Sequence, residues 1–245
     1  PTGINYYRDA GFLPEAMCNY LGMMGYIVRD QREIFSIDEL CESFEIKRMS
    51  LGGPIFDLAK LKWLNGRYLR EQLTEKEVVN RLIEWKFNSD FMQKIIPHAL
   101  QRLENFSDFL PLAGFLFNEQ PTIVLNELVG KIEPDEASKL LKIFEWELEK
   151  ITGWERDAIS KIFQKIAEIE DKKLKEVLPL FFQAMSGAKV SLPLFDAMTI
   201  LGPDLVRVRL RSALGLLSAE GAGLSKKRLK SLEKEYRAKY GNRID

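Results

Sequence analysis

Apolar residues recur at intervals of three and four along almost every segment of the chain longer than ten residues. This spacing collects them on one face of an α-helix, whereas a half-buried strand would alternate apolar and polar residues. No segment alternates in that way, so the sequence predicts an all-α fold. The longer predicted helices are Asp90–Asn105, Pro134–Ile151, Glu155–Ile169, Lys172–Met185, Pro193–Leu201, Pro203–Leu217 and Ser225–Tyr240.

Shorter helices in the first third of the chain carry start and stop signals. One is predicted to begin at Pro14, since proline suits the first helical position, and to end by Gly25. The pairs Ser36–Glu39 and Thr74–Glu77 each match a capping box, in which two side chains satisfy free backbone donors at a helix start. The stretch Ser218–Gly223 consists mostly of small residues, which predicts a flexible link.

The composition fits two modules and gives the protein no overall charge. The chain has 245 residues, 46% of them hydrophobic, and 36 basic side chains balance 36 acidic ones. Domains usually hold 100 to 200 residues, and a neutral protein has no global field that attracts nucleic acid. The tail Leu205–Asp245 is nevertheless basic, with eleven Lys and Arg against four acids. Such a tail also fits an ordinary solvated helix.

The residues give no support for catalysis or for metal binding. The only histidine, His98, is expected to be a half-buried helical side chain. Cys18 and Cys41 lack the spacing of a zinc site or a disulfide framework, which fits a reducing, cytoplasmic location. No apolar run is long enough to cross a membrane, and the start of the chain does not have the layout of a signal peptide.

Three segments near the start resemble bacterial glutamyl-tRNA synthetases, which are class I aminoacyl-tRNA synthetases. Asn5–Tyr26 reads NYYRDAGFLPEAMCNYLGMMGY, similar to the segment that follows the KMSKS-type loop of that family. Glu33–Ser36 (EIFS) and Phe44–Ser50 (FEIKRMS) are similar to the next family motifs. The strongest match is Phe56–Arg70, FDLAKLKWLNGRYLR, which resembles F-D-x-x-K-L-x-W-L/M-N followed by Y/H-I/L-R.

A weaker similarity lies further along the chain. Ala184–Gly187 (AMSG) and Pro193–Asp196 (PLFD) resemble the family motifs A-L-T/S-G and P-L-F-E/D. The family commonly has arginine two residues before the first of these motifs, where this chain has Phe182. The contact made by that arginine is therefore expected to be absent or replaced.

The resemblance implies a carboxy-terminal, tRNA-binding part of such an enzyme. It divides the chain into a stem-contact helical domain (1–72), an anticodon-binding domain of two subdomains (73–169 and 170–217), and a basic helical extension (218–245). The catalytic motifs would precede Pro1, so we expect ATP and Mg²⁺ for the full-length enzyme and no cofactor in this chain. The expected partner of this monomer is glutamate tRNA. Glutamine tRNA, as a further substrate or as that of a paralogue, stays open.

Cations and amides in these parts are the candidate tRNA contacts, because Lys and Arg bind phosphates while polar side chains read unstacked bases. The candidates for stem contact are Lys60, Lys62, Asn65, Arg67 and Arg70, with Asn65 shaping a turn between two helix segments. The candidates for the anticodon are Lys94, Gln101, Arg102, Arg207, Arg209 and Arg211, of which Arg207 and Arg211 share a helical face and Arg209 does not. Trp63, Phe56 and Leu64 are expected in the core.

A non-enzymatic helical scaffold that binds other proteins is the alternative function. A neutral, all-helical chain suits such a scaffold without any of the motifs above. Salt dependence separates the two functions, since phosphate binding weakens steeply as ionic strength rises.

Overall fold

The computed structural model describes residues 3–27, 32–50, 52–188 and 191–241. Within these ranges the chain forms helices and turns and no β-strand, which confirms the predicted all-α fold. The α-helices in chain order are α1 (Ile4–Asp9), α2 (Pro14–Gly25), α3 (Ile37–Ser43), α4 (Leu58–Arg67), α5 (Glu75–Trp85), α6 (Ser89–Ala99), α7 (Phe109–Ala113), α8 (Leu125–Val129), α9 (Pro134–Leu148), α10 (Arg156–Ile169), α11 (Leu174–Ser186), α12 (Leu194–Leu217) and α13 (Lys226–Tyr240).

The predicted helix starts in the first third of the chain are confirmed. α2 begins at Pro14 and ends at Gly25. Ser36 and Thr74 are the caps of α3 and α5, and both predicted capping boxes are formed. These signals act between residues only three apart, so they do not depend on the rest of the fold.

The chain divides between Asn88 and Ser89 into two compact units, which places α5 in the first unit. The Trp85 indole of α5 donates hydrogen bonds to the carbonyls of Arg8 (3.1 Å) and Asp9 (3.2 Å). Contacts made at the start of the unit therefore hold α5. The domain limits implied by the family resemblance group α5 with the helices that follow, and those limits remain a prediction.

The core of the second unit is an aromatic cluster. Phe144 of α9 lies 4.0 Å from Phe163 of α10 and 4.4 Å from Phe181 of α11, measured between ring centroids. Phe163 and Phe181 meet edge to face at 4.9 Å. Such rings each remove a large apolar area from water, so this cluster fixes α9, α10 and α11 against one another.

The break predicted near the end of the chain is confirmed. The sequence predicts separate helices up to Leu201 and from Pro203, and α12 is interrupted between them by non-helical backbone at Gly202. Gly202 takes φ of 79°, a left-handed conformation that glycine adopts without steric cost. Pro203 removes one backbone donor at the same point, so the kink has two local causes.

The segment after α12 makes a turn that contacts α9. Ser218–Ala222 has non-helical backbone at Glu220 and Gly221, and the carbonyl of Ala222 accepts a 2.7 Å hydrogen bond from the Ser138 hydroxyl of α9. Ala222 itself is buried. The predicted flexibility of this segment stays a prediction. The last four residues, 242–245, belong to the predicted basic extension but lie outside the described residues.

A buried carboxylate, Glu147 of α9, connects its own helix to two others. Its side chain is 3% exposed. It receives hydrogen bonds from Lys150 (2.8 Å), Lys165 (2.8 Å) and the Tyr236 hydroxyl (2.6 Å). Burial by itself raises the pKa of Glu147, but these three donors outweigh burial and hold the pKa below its ordinary value. A charged Glu147 therefore links α9, α10 and α13.

Replacing Glu147 by glutamine should lower the stability of the second unit at pH 7 by about 3 kcal/mol, because two lysines would lose their partner. The native pKa is lowered, so Glu147 contributes stability above its unfolded pKa of about 4.3 and loses it as pH falls through the native value. Urea denaturation from pH 7 to pH 3 should show that the free energies of unfolding of the wild type and the variant become equal in acid. Glu168→Gln, an exposed change on α10, is the control. A pH-independent difference would contradict this role.

Candidate nucleic-acid interface

α4 has one buried face and one face that points to solvent. The Asp57 carboxylate caps the helix by accepting from the backbone N–H groups of Ala59 (2.8 Å) and Lys60 (3.1 Å). Leu61 and Leu64 are fully buried, which confirms the core prediction for Leu64. With the inward positions taken by leucines, the residues between them point to solvent.

Trp63 lies on the solvent face of α4, and its predicted place in the core is wrong. The side chain is 41% exposed. The Lys60 ammonium lies 4.0 Å from the ring centroid and the Arg67 guanidinium 5.2 Å from it. These cation–π contacts hold the indole between two charges without burying it. Phe56 is also partly exposed (39%) although it meets Tyr20 edge to face.

The four predicted stem-contact cations lie along this same surface. Lys62 and Arg70 are exposed. Lys60 forms an ion pair with Glu33, and Arg67 binds the Glu71 carboxylate through two nitrogens at 2.9 and 2.6 Å. We call the surface of Lys60, Lys62, Trp63, Arg67 and Arg70 the cation–tryptophan face. Lys62 and Arg70 are more exposed than Lys60 and Arg67, so they are the better placed to receive phosphates.

Asn65 serves the fold instead of shaping a turn between helix segments. It lies inside α4, is 9% exposed, and accepts a 2.8 Å hydrogen bond from the Leu13 backbone N–H through Oδ1. Leu13 immediately precedes α2, so this bond fixes where α2 begins relative to α4. A buried amide with a backbone partner is a poor RNA contact, because binding would first have to break that bond.

The predicted helix Asp90–Asn105 is shorter in the structure. α6 ends at Ala99, and a tight 3-10 turn, Leu100–Arg102, follows it. The turn exposes Gln101 and Arg102, and the Arg102 guanidinium donates to the Ser191 carbonyl after α11. Lys94 remains on α6 and is exposed. Three of the predicted anticodon contacts therefore lie on one helix and its terminal turn.

Lys94 also lines a cavity of about 420 Å³ whose other charged residues were not predicted as contacts. In it, the Asp196 carboxylate lies 3.2 Å from the Arg156 Nε and 3.8 Å from the His98 Nδ1. The His98 side chain is 33% exposed, as expected for a half-buried helical histidine. The sequence gives no signal for this group, because α6, α10 and α12 meet only in the folded unit. Gln93, Pro97, Thr199 and Ile200 complete the lining.

The three arginines of α12 differ in their surroundings. Arg211 is exposed and its Nε lies 2.5 Å from the Glu145 carboxylate, while Arg207 is half-buried and lies 3.4 Å from Asp204. Arg209 is fully buried. Arg209 is predicted to lie on a different face of the helix from Arg207 and Arg211. Its complete burial, beside a half-buried Arg207 and an exposed Arg211, agrees with that prediction.

Arg209 ties together three segments of the second unit. Its guanidinium donates to the carbonyls of Phe115 (2.8 Å), Glu119 (3.3 Å), Asn118 and Met185. Burial lowers the pKa of Arg209 to about 9, which still leaves it charged at pH 7. All of these partners are internal, so this geometry gives Arg209 a structural role and keeps it out of the set of proposed RNA contacts.

Replacing Arg209 by methionine should destabilise the second unit by about 3 kcal/mol, since several buried carbonyls would lose their donor. Arg207→Met, two residues away on the same helix, is the matched control and should change stability by less than about 1 kcal/mol. The test is urea denaturation of both variants. Equal stability of the two variants would contradict the structural role of Arg209.

No group of three His, Cys, Asp or Glu side chains among the described residues could hold a metal ion. In the same part of the chain, every helix is too short or too polar to cross a membrane. Cys18 and Cys41 are both exposed, free thiols.

Comparison with known proteins gives two family matches. The model described as "Anticodon binding domain" matches residues 74–214. The model described as "tRNA synthetases class I (E and Q), catalytic domain" matches residues 2–63. The first match covers more than half of the chain and includes every predicted anticodon contact.

Curated relatives match along nearly the whole chain. Glutamate–tRNA ligase of Pseudomonas fluorescens (strain Pf0-1) is 46% identical over 236 residues, which is 96% of this chain. That of Pseudoalteromonas translucida (strain TAC 125) is 43% identical over 238 residues, or 97% of this chain. The chain spans about half, 47%, of the length of each relative. A crystal structure of a glutamate tRNA ligase from Elizabethkingia meningosepticum has a TM-score of 0.49 at 23% identity, over 86% of this chain and 43% of that one.

Proposed function

The chain belongs to the anticodon binding domain family, and from this premise we propose that it is the tRNA-binding portion of a glutamate–tRNA ligase. The observation that supports this most is identity of 43 to 46% over 96 to 97% of the chain, through both compact units, with glutamate–tRNA ligases. The proposed partner is glutamate tRNA, and the proposed setting is a monomer in the cytoplasm. The whole enzyme would join glutamate to that tRNA.

The two units supply two kinds of contact. In the first unit, Lys62 and Arg70 of the cation–tryptophan face bind backbone phosphates, and Trp63 offers a ring on which a base or ribose packs. In the second unit, the exposed Lys94, Gln101, Arg102 and Arg211 and the half-buried Arg207 contact the anticodon loop. Phosphate contacts position the RNA, while contacts to unstacked bases discriminate between anticodons.

ATP and Mg²⁺ belong to the proposed whole enzyme, because the family carries out ATP-dependent ligation. The described residues contain neither a metal-ligand group nor a glycine-rich phosphate loop. We therefore assign no step of amino-acid activation to them. The proposed role of this chain is to bind and orient the tRNA for the reaction.

Specificity between glutamate and glutamine tRNA is a further part of the proposal. Phe182, which is half-buried on α11, stands where the family commonly has arginine. A phenyl ring can stack on a base but cannot donate hydrogen bonds to it, so discrimination at that position should be weaker. We propose that the enzyme accepts both tRNAs, and comparing their dissociation constants with the purified chain tests this.

The first test of the proposed function is tRNA binding as a function of salt. The purified chain should bind glutamate tRNA at 50 mM KCl and lose affinity steeply as salt rises. Lys62→Gln with Arg70→Gln should reduce the slope of log K against log salt by about 1.4 to 1.8, since each lost phosphate contact contributes about 0.7 to 0.9. The matched control is Lys131→Gln with Lys175→Gln, which removes two other exposed charges. An absence of tRNA binding at low salt would favour the protein-binding scaffold.

Contacts that read bases should behave differently from contacts that position the backbone. Arg207→Met should change the ratio of affinities for glutamate tRNA and an anticodon-substituted version by about tenfold, the effect of losing one base contact. The Lys62 and Arg70 double variant should bind both RNAs more weakly than the wild type, by the same factor. Fluorescence titration of both RNAs with both variants measures these ratios. If both variants change the ratio of affinities equally, the two surfaces do not divide into one that positions the backbone and one that reads bases.

A further inference from the structure

α13 is held firmly to the second unit by one of its faces. Leu232, Tyr236 and Tyr240 are buried, and the Tyr236 ring lies 4.8 Å from the ring of Trp146 on α9. The Tyr240 hydroxyl donates a 3.0 Å hydrogen bond to the Glu170 carboxylate. These contacts fix the rotation of the helix about its axis, so its opposite face points to solvent.

The opposite face carries a row of lysines. Lys227, Lys230 and Lys234 follow one another at intervals of three and four, so they lie along one side of the helix. All three are exposed, and within the described part of the chain none has a hydrogen-bond or ion-pair partner. We call these three residues the lysine stripe. With a rise of about 1.5 Å per residue, the stripe extends about 10 Å along the helix axis.

Two other cations of α13 already have acidic partners. Arg228 binds the Asp135 carboxylate through two nitrogens, each at 2.8 Å. Lys239 lies 3.4 Å from the Glu170 carboxylate and 3.0 Å from that of Glu235. The lysine stripe is therefore not a general consequence of a lysine-rich helix, because cations beside it have carboxylate partners.

The lysine stripe also works against the stability of its own helix. Like charges three and four residues apart repel one another. The first turn of α13 contains Lys226, Lys227 and Arg228 and no acidic residue, although the positive end of the helix dipole favours acids there. A local arrangement that opposes folding without internal compensation is typical of a functional surface.

The chemistry of the stripe favours a nucleic-acid backbone over other anionic partners. Its neighbours on the same face, Ser231 and Ala238, are small, whereas a helix that lies on a membrane buries large apolar side chains. The cores of protein interfaces are poor in lysine. Lysine also acts as a point charge and lacks the planar fork with which arginine binds a guanine edge. The stripe therefore suits phosphates and carries no base specificity.

We propose that the lysine stripe Lys227–Lys230–Lys234 is a further RNA-binding surface, which contacts consecutive backbone phosphates independently of sequence. The proposal rests on the proposed tRNA-binding function. It assigns to the basic carboxy-terminal helix a positioning role for the bound tRNA, separate from the cation–tryptophan face and from the anticodon contacts.

The test is a triple variant of the full chain, Lys227→Gln, Lys230→Gln and Lys234→Gln. Its control, Lys131→Gln, Lys161→Gln and Lys175→Gln, removes the same charge from other exposed positions. Binding of glutamate tRNA is measured from 50 to 300 mM KCl. The stripe variant should reduce the salt slope by about 2 to 3, and the control should reduce it by less than about 1. The melting temperature of the stripe variant should be unchanged or higher than that of the wild type, since repulsion between lysines of α13 is relieved.

The outcomes separate failure of this inference from failure of the proposed function. If wild-type protein binds the tRNA and the stripe variant keeps the same salt slope, the lysine stripe is not an RNA contact. Equal losses in the stripe and control variants would attribute the effect to net charge and would also overturn the inference. If the wild-type chain does not bind tRNA, the proposed function fails and the inference fails with it. Stripe-dependent binding to phosphatidylserine vesicles or polyglutamate, without an effect on tRNA, would identify a different partner.

Discussion

Glu145, Glu147 and Glu170 are almost completely buried carboxylates in the second unit, with side chains 2 to 4% exposed. A buried carboxylate is stable as an anion only when donors surround it. Each of the three pairs with at least one cation from another helix, and Glu145 and Glu147 also pair with a lysine three residues away. Burial by itself raises the pKa of all three, but hydrogen bonds from lysines outweigh burial and hold each pKa below its ordinary value. The recruited cations are Lys139, Lys142, Lys150, Lys165, Arg211 and Lys239.

This internal pairing determines which positive charges remain at the surface of a chain whose total charge is zero. Cations that pair with the buried carboxylates hold α9, α10 and α13 together and are partly neutralised. Cations without such partners, above all the lysine stripe of α13, are available to an anionic ligand. Net charge therefore says little about RNA binding here, because acids inside the unit and cations outside it cancel in the sum.

Features set by neighbouring residues were predictable from the sequence, and features set by packing were not. The capping boxes at Ser36 and Thr74 formed as predicted because their partners lie three residues away. Trp63 was misplaced because its spacing fits a core face, and only the folded unit shows Leu61 and Leu64 already filling that face. The burial of Arg209 likewise depends on carbonyls about 90 residues earlier in the chain. The Arg156–Asp196–His98 group joins three helices that no motif connects. Family resemblance supplied the proposed function, which helix patterning alone leaves open.

Lysine reactivity with and without glutamate tRNA would test most directly whether the exposed lysines of the chain bind the RNA. Acetylation of the folded chain, followed by mass spectrometry, reports each lysine separately. The account predicts that tRNA protects Lys62, Lys227, Lys230 and Lys234, while Lys139 and Lys165, held by buried carboxylates, react slowly in both states. Unchanged reactivity of the exposed lysines in the presence of saturating tRNA would contradict it.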